Sequence, residues 1–336
     1  MNQSLRARVA RLLCVGFPGN APDADLAELV ADGVRSVILF ARNAGPKSEV
    51  AKTIAAVKHL SPDPVHDPIM VCVDQEGGST VRFTEGFDPP PPMREVGGAG
   101  VDAAAKVGRR LAMDLLSVGI DLDLAPVMDV DSNPANPVIG PRSFGSEPGV
   151  VSACGAAMID AMQSRGLAAC AKHFPGHGDT DLDSHHDLPV LRHGMDRIRQ
   201  IELPPFEAAI KVGVAAIMTT HVVFDAIDPG VPATMSRAAI EGLLRGELGF
   251  EGVVISDDLE MAAIAESTEV GEAAIRTVEA GVDLLLCCHR PDRQRRVIDA
   301  LADAVVAGRL TETRIDESIR RLEVLFHAYV QVPEKS

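Results

Sequence analysis

The chain has 336 residues, of which 46% are hydrophobic and 24% charged, so it can bury a large core without disulfides or metals. Its 48 acidic and 32 basic residues give a net charge of −16, which repels nucleic acid and anionic membrane surfaces. The N-terminal stretch lacks the apolar core of a signal peptide, and no run reaches the roughly 20 apolar residues that span a bilayer. We therefore expect a cytoplasmic protein without a nucleic-acid or membrane partner.

The length exceeds the roughly 250 residues typical of a β/α barrel but is short for two substantial domains. We therefore expect one domain over residues 1–336, and the sequence leaves its oligomeric state unknown. The cysteines are scattered, and several lie in apolar runs such as 69–73, which favours buried thiols over a disulfide framework. They are Cys14, Cys72, Cys154, Cys170, Cys287 and Cys288.

Short β-branched runs alternate with Ala-rich helical patterns along the whole chain, which is typical of βα units around a parallel sheet. The predicted fold class is α/β, a single TIM-type (β/α)8 barrel whose closure need not be regular. Eight strands are predicted, at 12–16, 36–41, 69–73, 122–126, 168–171, 215–219, 253–256 and 283–287. Helices are predicted between them, among others at 101–118, 151–163, 204–211, 237–248 and 269–280.

Polar residues, most of them charged or titratable, follow four of the predicted strands. In a β/α barrel the carboxyl ends of all strands converge on one face, so residues far apart in sequence meet at one site. Strand ends that simply face solvent would explain any one of these clusters, but not so well their regularity. The residues are Asp74, Gln75, Glu76, Lys172, His173, His221, Asp257 and Asp258.

Two of these regions predict acid/base and nucleophilic chemistry. Asp183 and His185 lie two residues apart in a Gly-rich loop, where the carboxylate can orient the imidazole and stabilise its protonated form. Asp257 follows an apolar strand that would hold its carboxylate rigidly, as a nucleophile requires. Asp257 could instead cap a following helix, and spacing alone does not separate it from Asp258.

The segment 172–178 reads KHFPGHG, and the chain continues through Asp183-Ser184-His185 to Pro189. This pattern resembles the signature of the β-N-acetylglucosaminidases of glycoside hydrolase family 3. Further blocks agree in family order at 73–78, 139–145, 232–236 and 252–259. One departure is Ser79, which stands where many relatives carry Arg after the double glycine.

The resemblance implies a retaining β-N-acetylglucosaminidase that needs no cofactor and acts on terminal β-linked N-acetylglucosamine of muropeptides or chitin-type oligosaccharides. Asp257 would form a covalent glycosyl-enzyme, while His185, paired with Asp183, would protonate the leaving oxygen and later activate water. This dyad departs from the two carboxylates usual in glycosidases. Cytoplasmic relatives act in peptidoglycan recycling. The matching sugar-binding residues are Asp74, Arg82, Arg142, Lys172 and His173.

Three alternatives remain open at the level of sequence. A phosphorylase would transfer the same sugar to phosphate, because a histidine does not repel that anion as a carboxylate would. A non-catalytic sugar-binding barrel is the second alternative, although sugar binding alone would not need Asp183, His185 and Asp257 together. A metal-dependent hydrolase would use a cluster of imidazoles and carboxylates, although their spacing fits no known metal motif. That cluster comprises His173, His177, Asp183, His185, His186 and Asp187. Outside it, Glu76 and His221 are interpreted as structural or supporting groups.

Overall fold

The computed structural model describes residues 4–180, 189–265 and 268–331. Its strands, in chain order, are β1 (Leu13–Val15), β2 (Ser36–Leu39), β3 (Met70–Val73), β4 (Leu122–Asp123), β5 (Ala168–Phe174), β6 (Val190–Leu191), β7 (Ala216–Thr219), β8 (Val223–Phe224), β9 (Val253–Ile255) and β10 (Leu285–Cys287).

The main sheet contains eight parallel strands in the order β10-β1-β2-β3-β4-β5-β7-β9, and β6 pairs separately with β8. Its two edges also meet, because the amide of Ser256 donates to the carbonyl of Leu284 at 2.9 Å and the amide of Leu284 donates to Val254 at 3.1 Å. A parallel bridge between Ile255 and Leu284 lies at the same point. The predicted TIM-type barrel is confirmed.

Helices lie between successive strands and cover the outside of the barrel. All five helices whose positions were predicted are present, but 238–247 is wound as a π-helix (Ala238–Glu247). The α-helices of the described residues are α1 (Leu5–Ala10), α2 (Ala24–Asp32), α3 (Lys47–Lys58), α4 (Met93–Ala99), α5 (Val101–Leu116), α6 (Pro148–Gln163), α7 (Met195–Arg197), α8 (Leu203–Lys211), α9 (Ala262–Ala265), α10 (Val270–Ala280), α11 (Pro291–Val306) and α12 (Glu312–Tyr329).

Alternation along the strands divides the apolar residues into two cores. Val71 and Val73 of β3, for example, belong to the core between barrel and helices, whereas Met70 and Cys72 belong to the core that fills the barrel. Side chains of small and medium volume fill the barrel, in keeping with a chain that has no Trp. All six cysteines are buried and free, as predicted.

Gly178 closes the KHFPGHG segment against the loop that follows β4. A Cβ at this position would lie 1.8 Å from the carbonyl oxygen of Val130, so no larger residue fits without a backbone shift. We expect Gly178→Ala to lower the free energy of unfolding by about 2 kcal/mol, as overpacking does elsewhere. Urea denaturation measures the change.

The control is Gly194→Ala, because Gly194 has a φ of −70° and nothing within 4 Å of an added Cβ. That variant should unfold at nearly the wild-type urea concentration. Equal midpoints for the two variants would contradict the steric argument.

Within the described ranges, no helix is both long enough and apolar enough to cross a membrane.

Candidate active site

A cavity of about 250 Å³ opens at the carboxyl ends of the barrel strands. Its volume is close to the lower end, about 300 Å³, of small-molecule sites, which suits a ligand of one ring. Six of the predicted site residues line it together: Asp74, Arg82, Arg142, Lys172, His173 and Asp257. The strands therefore bring together residues that are up to 183 positions apart, from 74 to 257.

One wall of the cavity is a buried ion-pair network. The Lys172 ammonium lies 2.7 Å from Asp74 Oδ1 and 2.6 Å from Glu76 Oε1. Arg142 binds Glu76 through two nitrogens, Nε at 2.8 Å and Nη2 at 2.7 Å. A bidentate ion pair of this kind fixes the orientation of the Arg142 guanidinium as well as neutralising its charge. Arg82 lies further out, 3.4 Å from Asp74 Oδ2.

The charges of this network are fixed by its own members. Burial acts to raise the pKa of Glu76, but the positive charges of Lys172 and Arg142 outweigh it and hold that pKa far below its usual range. Burial acts to lower the pKa of Lys172, and Asp74 and Glu76 reverse the effect, so the pKa is raised. Glu76 is therefore ionised and Lys172 protonated at neutral pH.

Asp129 was not singled out in the sequence, yet it orients the histidines of the motif. Its Oδ2 lies 2.7 Å from His173 Nδ1, and its Oδ1 accepts the amide of His177 at 2.7 Å. Burial acts to raise the pKa of Asp129, but the His173 charge and hydrogen bond leave it lowered. An ionised Asp129 accepts a hydrogen bond from Nδ1–H of His173. The contact with Asp129 therefore does not use the Nε2 atom of the His173 ring.

His177 is a neutral member of the cavity wall. Its Nδ1 lies 2.8 Å from the Thr180 hydroxyl, and Asn136 Nδ2 donates to its carbonyl at 2.8 Å. Burial, followed by the nearby charge of His173, lowers the pKa of His177 to about 4. The side chain is therefore uncharged at pH 7, in keeping with a residue that supports the loop.

The hydrogen bonds distinguish Asp257 from Asp258, which sequence spacing alone does not. Asp258 uses both carboxylate oxygens: Oδ2 lies 3.1 Å from His289 Nε2, and Oδ1 accepts the amide of Glu260 at 3.1 Å. Asp257 Oδ1 accepts the amide of Asp258 at 2.9 Å, and among the described residues no hydrogen bond reaches its Oδ2. Asp257 therefore keeps one oxygen available for chemistry.

The charge state of Asp257 is set by groups from several strands. Burial acts to raise the pKa of Asp257, but the electrostatic influence of His221 and His173, the hydrogen bond from the Asp258 amide and the charge of Lys172 leave that pKa below its usual range. The carboxylate is thus ionised at neutral pH, which is the form that can attack an electrophilic carbon. His221, interpreted from sequence as a supporting group, also binds the carbonyl of Asp258 through Nε2 at 3.0 Å.

The predicted acid/base pair, Asp183 and His185, lies outside the described residues. His186 and Asp187 lie outside them too, so four of the six members of the alternative metal cluster cannot be placed. Among residues 4–180, 189–265 and 268–331, no group of three or more His, Cys, Asp or Glu is arranged to hold a metal ion. The metal hypothesis stays untested.

Comparison with known proteins gives the family. The model of the glycosyl hydrolase family 3 N-terminal domain matches residues 4–325. The chain belongs to glycoside hydrolase family 3. A β-hexosaminidase of Thiobacillus denitrificans is 36% identical over 88% of this chain and 86% of its own length. One of Stenotrophomonas maltophilia is 37% identical over 83% of each.

Two solved structures of the family are similar over almost the whole chain. A β-N-acetylglucosaminidase from Paenibacillus sp. has a TM-score of 0.95 at 42% identity, covering 97% of this chain and 63% of that one. NagZ from Neisseria gonorrhoeae, solved with N-trifluoroacetyl-D-glucosamine, has a TM-score of 0.77 at 31% identity, covering 94% of this chain and 98% of that one. The predicted class, a glycoside hydrolase of the β-N-acetylhexosaminidase type, is confirmed.

Proposed function

We propose that this protein is a retaining β-N-acetylglucosaminidase that releases terminal β-linked N-acetylglucosamine from muropeptides or chitin-type oligosaccharides. The observation that carries the proposal is the position of Asp257. Its ionised carboxylate keeps Oδ2 uncommitted among the described residues and lines the same cavity as the Asp74–Lys172–Glu76–Arg142 network. A nucleophile thus faces a wall of fixed donors and acceptors.

In the first proposed step, Asp257 Oδ2 attacks the anomeric carbon while the bond from that carbon to the leaving oxygen breaks. His185 gives its proton to the leaving oxygen, and Asp183 stabilises the imidazolium before transfer. In the second step His185 takes a proton from water, the water oxygen bonds to the anomeric carbon, and Asp257 leaves as a carboxylate. The roles of His185 and Asp183 rest on the family resemblance.

Sugar binding is assigned to Asp74, Arg82, Arg142, Lys172 and His173. The fixed ammonium of Lys172 and guanidinium of Arg142 donate to sugar oxygens, and the Asp74 carboxylate accepts from sugar hydroxyls. Because these groups hold one another in place before the sugar arrives, little ordering remains for binding. The Neisseria relative with a bound N-acylated glucosamine supports a sugar of this type.

Three further predictions about the setting remain to be tested. Residues 1–336 are proposed to form one catalytic barrel domain, in line with a family model that matches 4–325. The protein is proposed to act in peptidoglycan recycling, and a cytoplasmic location stays a prediction from the sequence. No cofactor is assigned to the reaction.

The decisive assay is turnover of nitrophenyl N-acetyl-β-glucosaminide with and without phosphate, with identification of the sugar product. We expect free N-acetylglucosamine of retained configuration at a rate that neither phosphate nor EDTA changes. Sugar 1-phosphate as product would replace the hydrolase with a phosphorylase. Loss of activity in EDTA, restored by a divalent ion, would establish the metal-dependent alternative, and no turnover of any N-acetylhexosaminide would favour a sugar-binding barrel.

A further inference from the structure

A second row of polar side chains contacts Asp258 rather than the network of Lys172, and two of its members, Asp258 and His289, line the same cavity as Asp257. Arg42 Nη1 lies 2.9 Å from His289 Nδ1, and His289 Nε2 lies 3.1 Å from Asp258 Oδ2. A guanidinium can only donate, so Nδ1 of His289 accepts and its ring proton is on Nε2. Every hydrogen-bond direction in this row, which we call the anchoring chain, is therefore fixed.

The far end of the anchoring chain is held because each guanidinium nitrogen of Arg42 makes a hydrogen-bond contact. Its Nε donates to the carbonyl of Phe17 at 2.9 Å, and its Nη2 donates to the carbonyl of Cys288 at 2.6 Å. Its guanidinium lies 4.5 Å from the centre of the Phe40 ring, and that ring is 5.2 Å from the imidazole of His289. His289, whose side chain is 48% exposed, thus contacts both the Arg42 guanidinium and the Phe40 ring.

The near end of the anchoring chain holds residue Asp258 through its side chain and its carbonyl. The Asp258 carboxylate is held by His289 and by the amide of Glu260, and its carbonyl accepts from His221 Nε2 at 3.0 Å. The amide of the same residue donates to Asp257 Oδ1 at 2.9 Å. Three contacts therefore hold residue Asp258, whose N–H aims the Asp257 carboxylate.

We propose that the anchoring chain positions Asp257 for attack, with His289 as a positioning residue that acts through Asp258. The proposal rests on the proposed role of Asp257 as the nucleophile. Its physical basis is that a carboxylate held by a fixed N–H keeps its other oxygen on the line of attack, whereas a displacement of about 1 Å can cost up to about 100-fold in rate.

The test compares His289→Ala, His289→Gln and Arg290→Ala on the nitrophenyl substrate, whose leaving group needs no proton, so that the attack by Asp257 does not depend on His185. His289→Ala should lower kcat about tenfold with KM changed less than about twofold, because other residues bind the sugar. His289→Gln should recover most of the rate, since its amide nitrogen can donate to Asp258. Arg290→Ala is the matched control, because the only hydrogen bonds that its side chain makes to described residues are with Asp292 at the surface.

The pH profile of kcat/KM gives a readout that a purely structural loss would not move. The acid limb reports ionisation of Asp257, whose pKa is held down by His221, His173, Lys172 and the Asp258 amide. In His289→Ala the Asp258 amide is held less firmly, so its hydrogen bond to Asp257 weakens and the pKa of Asp257 rises. The acid limb of the profile should therefore move to higher pH. It should stay at the wild-type position in Arg290→Ala.

Three outcomes would overturn the inference. Equal kinetics in His289→Ala and Arg290→Ala, with an active wild type, would show that the anchoring chain does not position Asp257. The proposed function would then be unaffected. A raised KM with unchanged kcat would make His289 a substrate contact instead. A wild type that releases no sugar, or an intermediate trapped on Asp258, would overturn the proposed function and this inference together.

Discussion

Asp257→Ala is expected to lower kcat by about 10⁴-fold, on substrates with good and poor leaving groups alike. The reason is that the variant lacks the group that forms the new bond, so the quality of the leaving group cannot compensate. The loss is measured with nitrophenyl and alkyl N-acetyl-β-glucosaminides under single-turnover conditions. In wild type, a slow fluorinated N-acetylglucosaminide should leave its sugar on the peptide that contains Asp257, and the variant should not be labelled.

The contrast that makes this result specific is His185→Ala. That variant lacks the proton donor, so alkyl glycosides should lose far more rate than nitrophenyl glycosides, and the nitrophenyl substrate should show a burst followed by slow turnover. Azide, which needs no base, should restore turnover in His185→Ala. Equal losses on both substrates in His185→Ala would remove it from the acid/base role.

The barrel could be predicted from sequence because each strand is a short, strongly apolar run between helical patterns. All eight predicted strands exist, and the clearest difference is β5, which continues to Phe174 instead of ending at residue 171. A lysine and a histidine normally mark the end of a buried strand, since burying them costs free energy. Here Asp74, Glu76 and Asp129 offset that cost, and such distant partners are invisible to a local pattern.

The residues proposed to bind the sugar were identified through the family motifs, whereas two groups that hold site residues, Asp129 and His289, were missed. Asp129 and His289 each follow a barrel strand, which is the same signal that identified Asp74 and Asp257. They were passed over because neither stands in a motif that the resemblance covers. The preference for Asp257 over Asp258 depends on which carboxylate oxygens are already hydrogen-bonded, and sequence spacing carries no information about that.

Glu76→Gln is expected to lower both activity and stability strongly, although Glu76 is only a supporting group. The side chain is buried between Lys172 and Arg142, and a neutral amide leaves two buried cations with one carboxylate fewer. Removing one partner of a buried ion pair costs about 3–5 kcal/mol of the free energy of unfolding. Since both cations are proposed to bind the sugar, kcat/KM should fall by roughly 100-fold.

The stability that is lost in Glu76→Gln should depend on pH, and the lowered pKa of Glu76 sets the direction of that dependence. Because the folded pKa of Glu76 is lowered, its ion pairs contribute stability above the unfolded carboxyl pKa of about 4.3 and lose it as the pH falls towards the folded value. Urea denaturation should therefore show a constant difference in the free energy of unfolding between wild type and Glu76→Gln from pH 7 to about pH 5. This difference should become smaller below about pH 4. Glu49→Gln breaks only an exposed pair with Lys52 and should change stability by less than about 0.5 kcal/mol. A gap no larger than that of Glu49→Gln would mean that the buried network does not hold the wall of the site together.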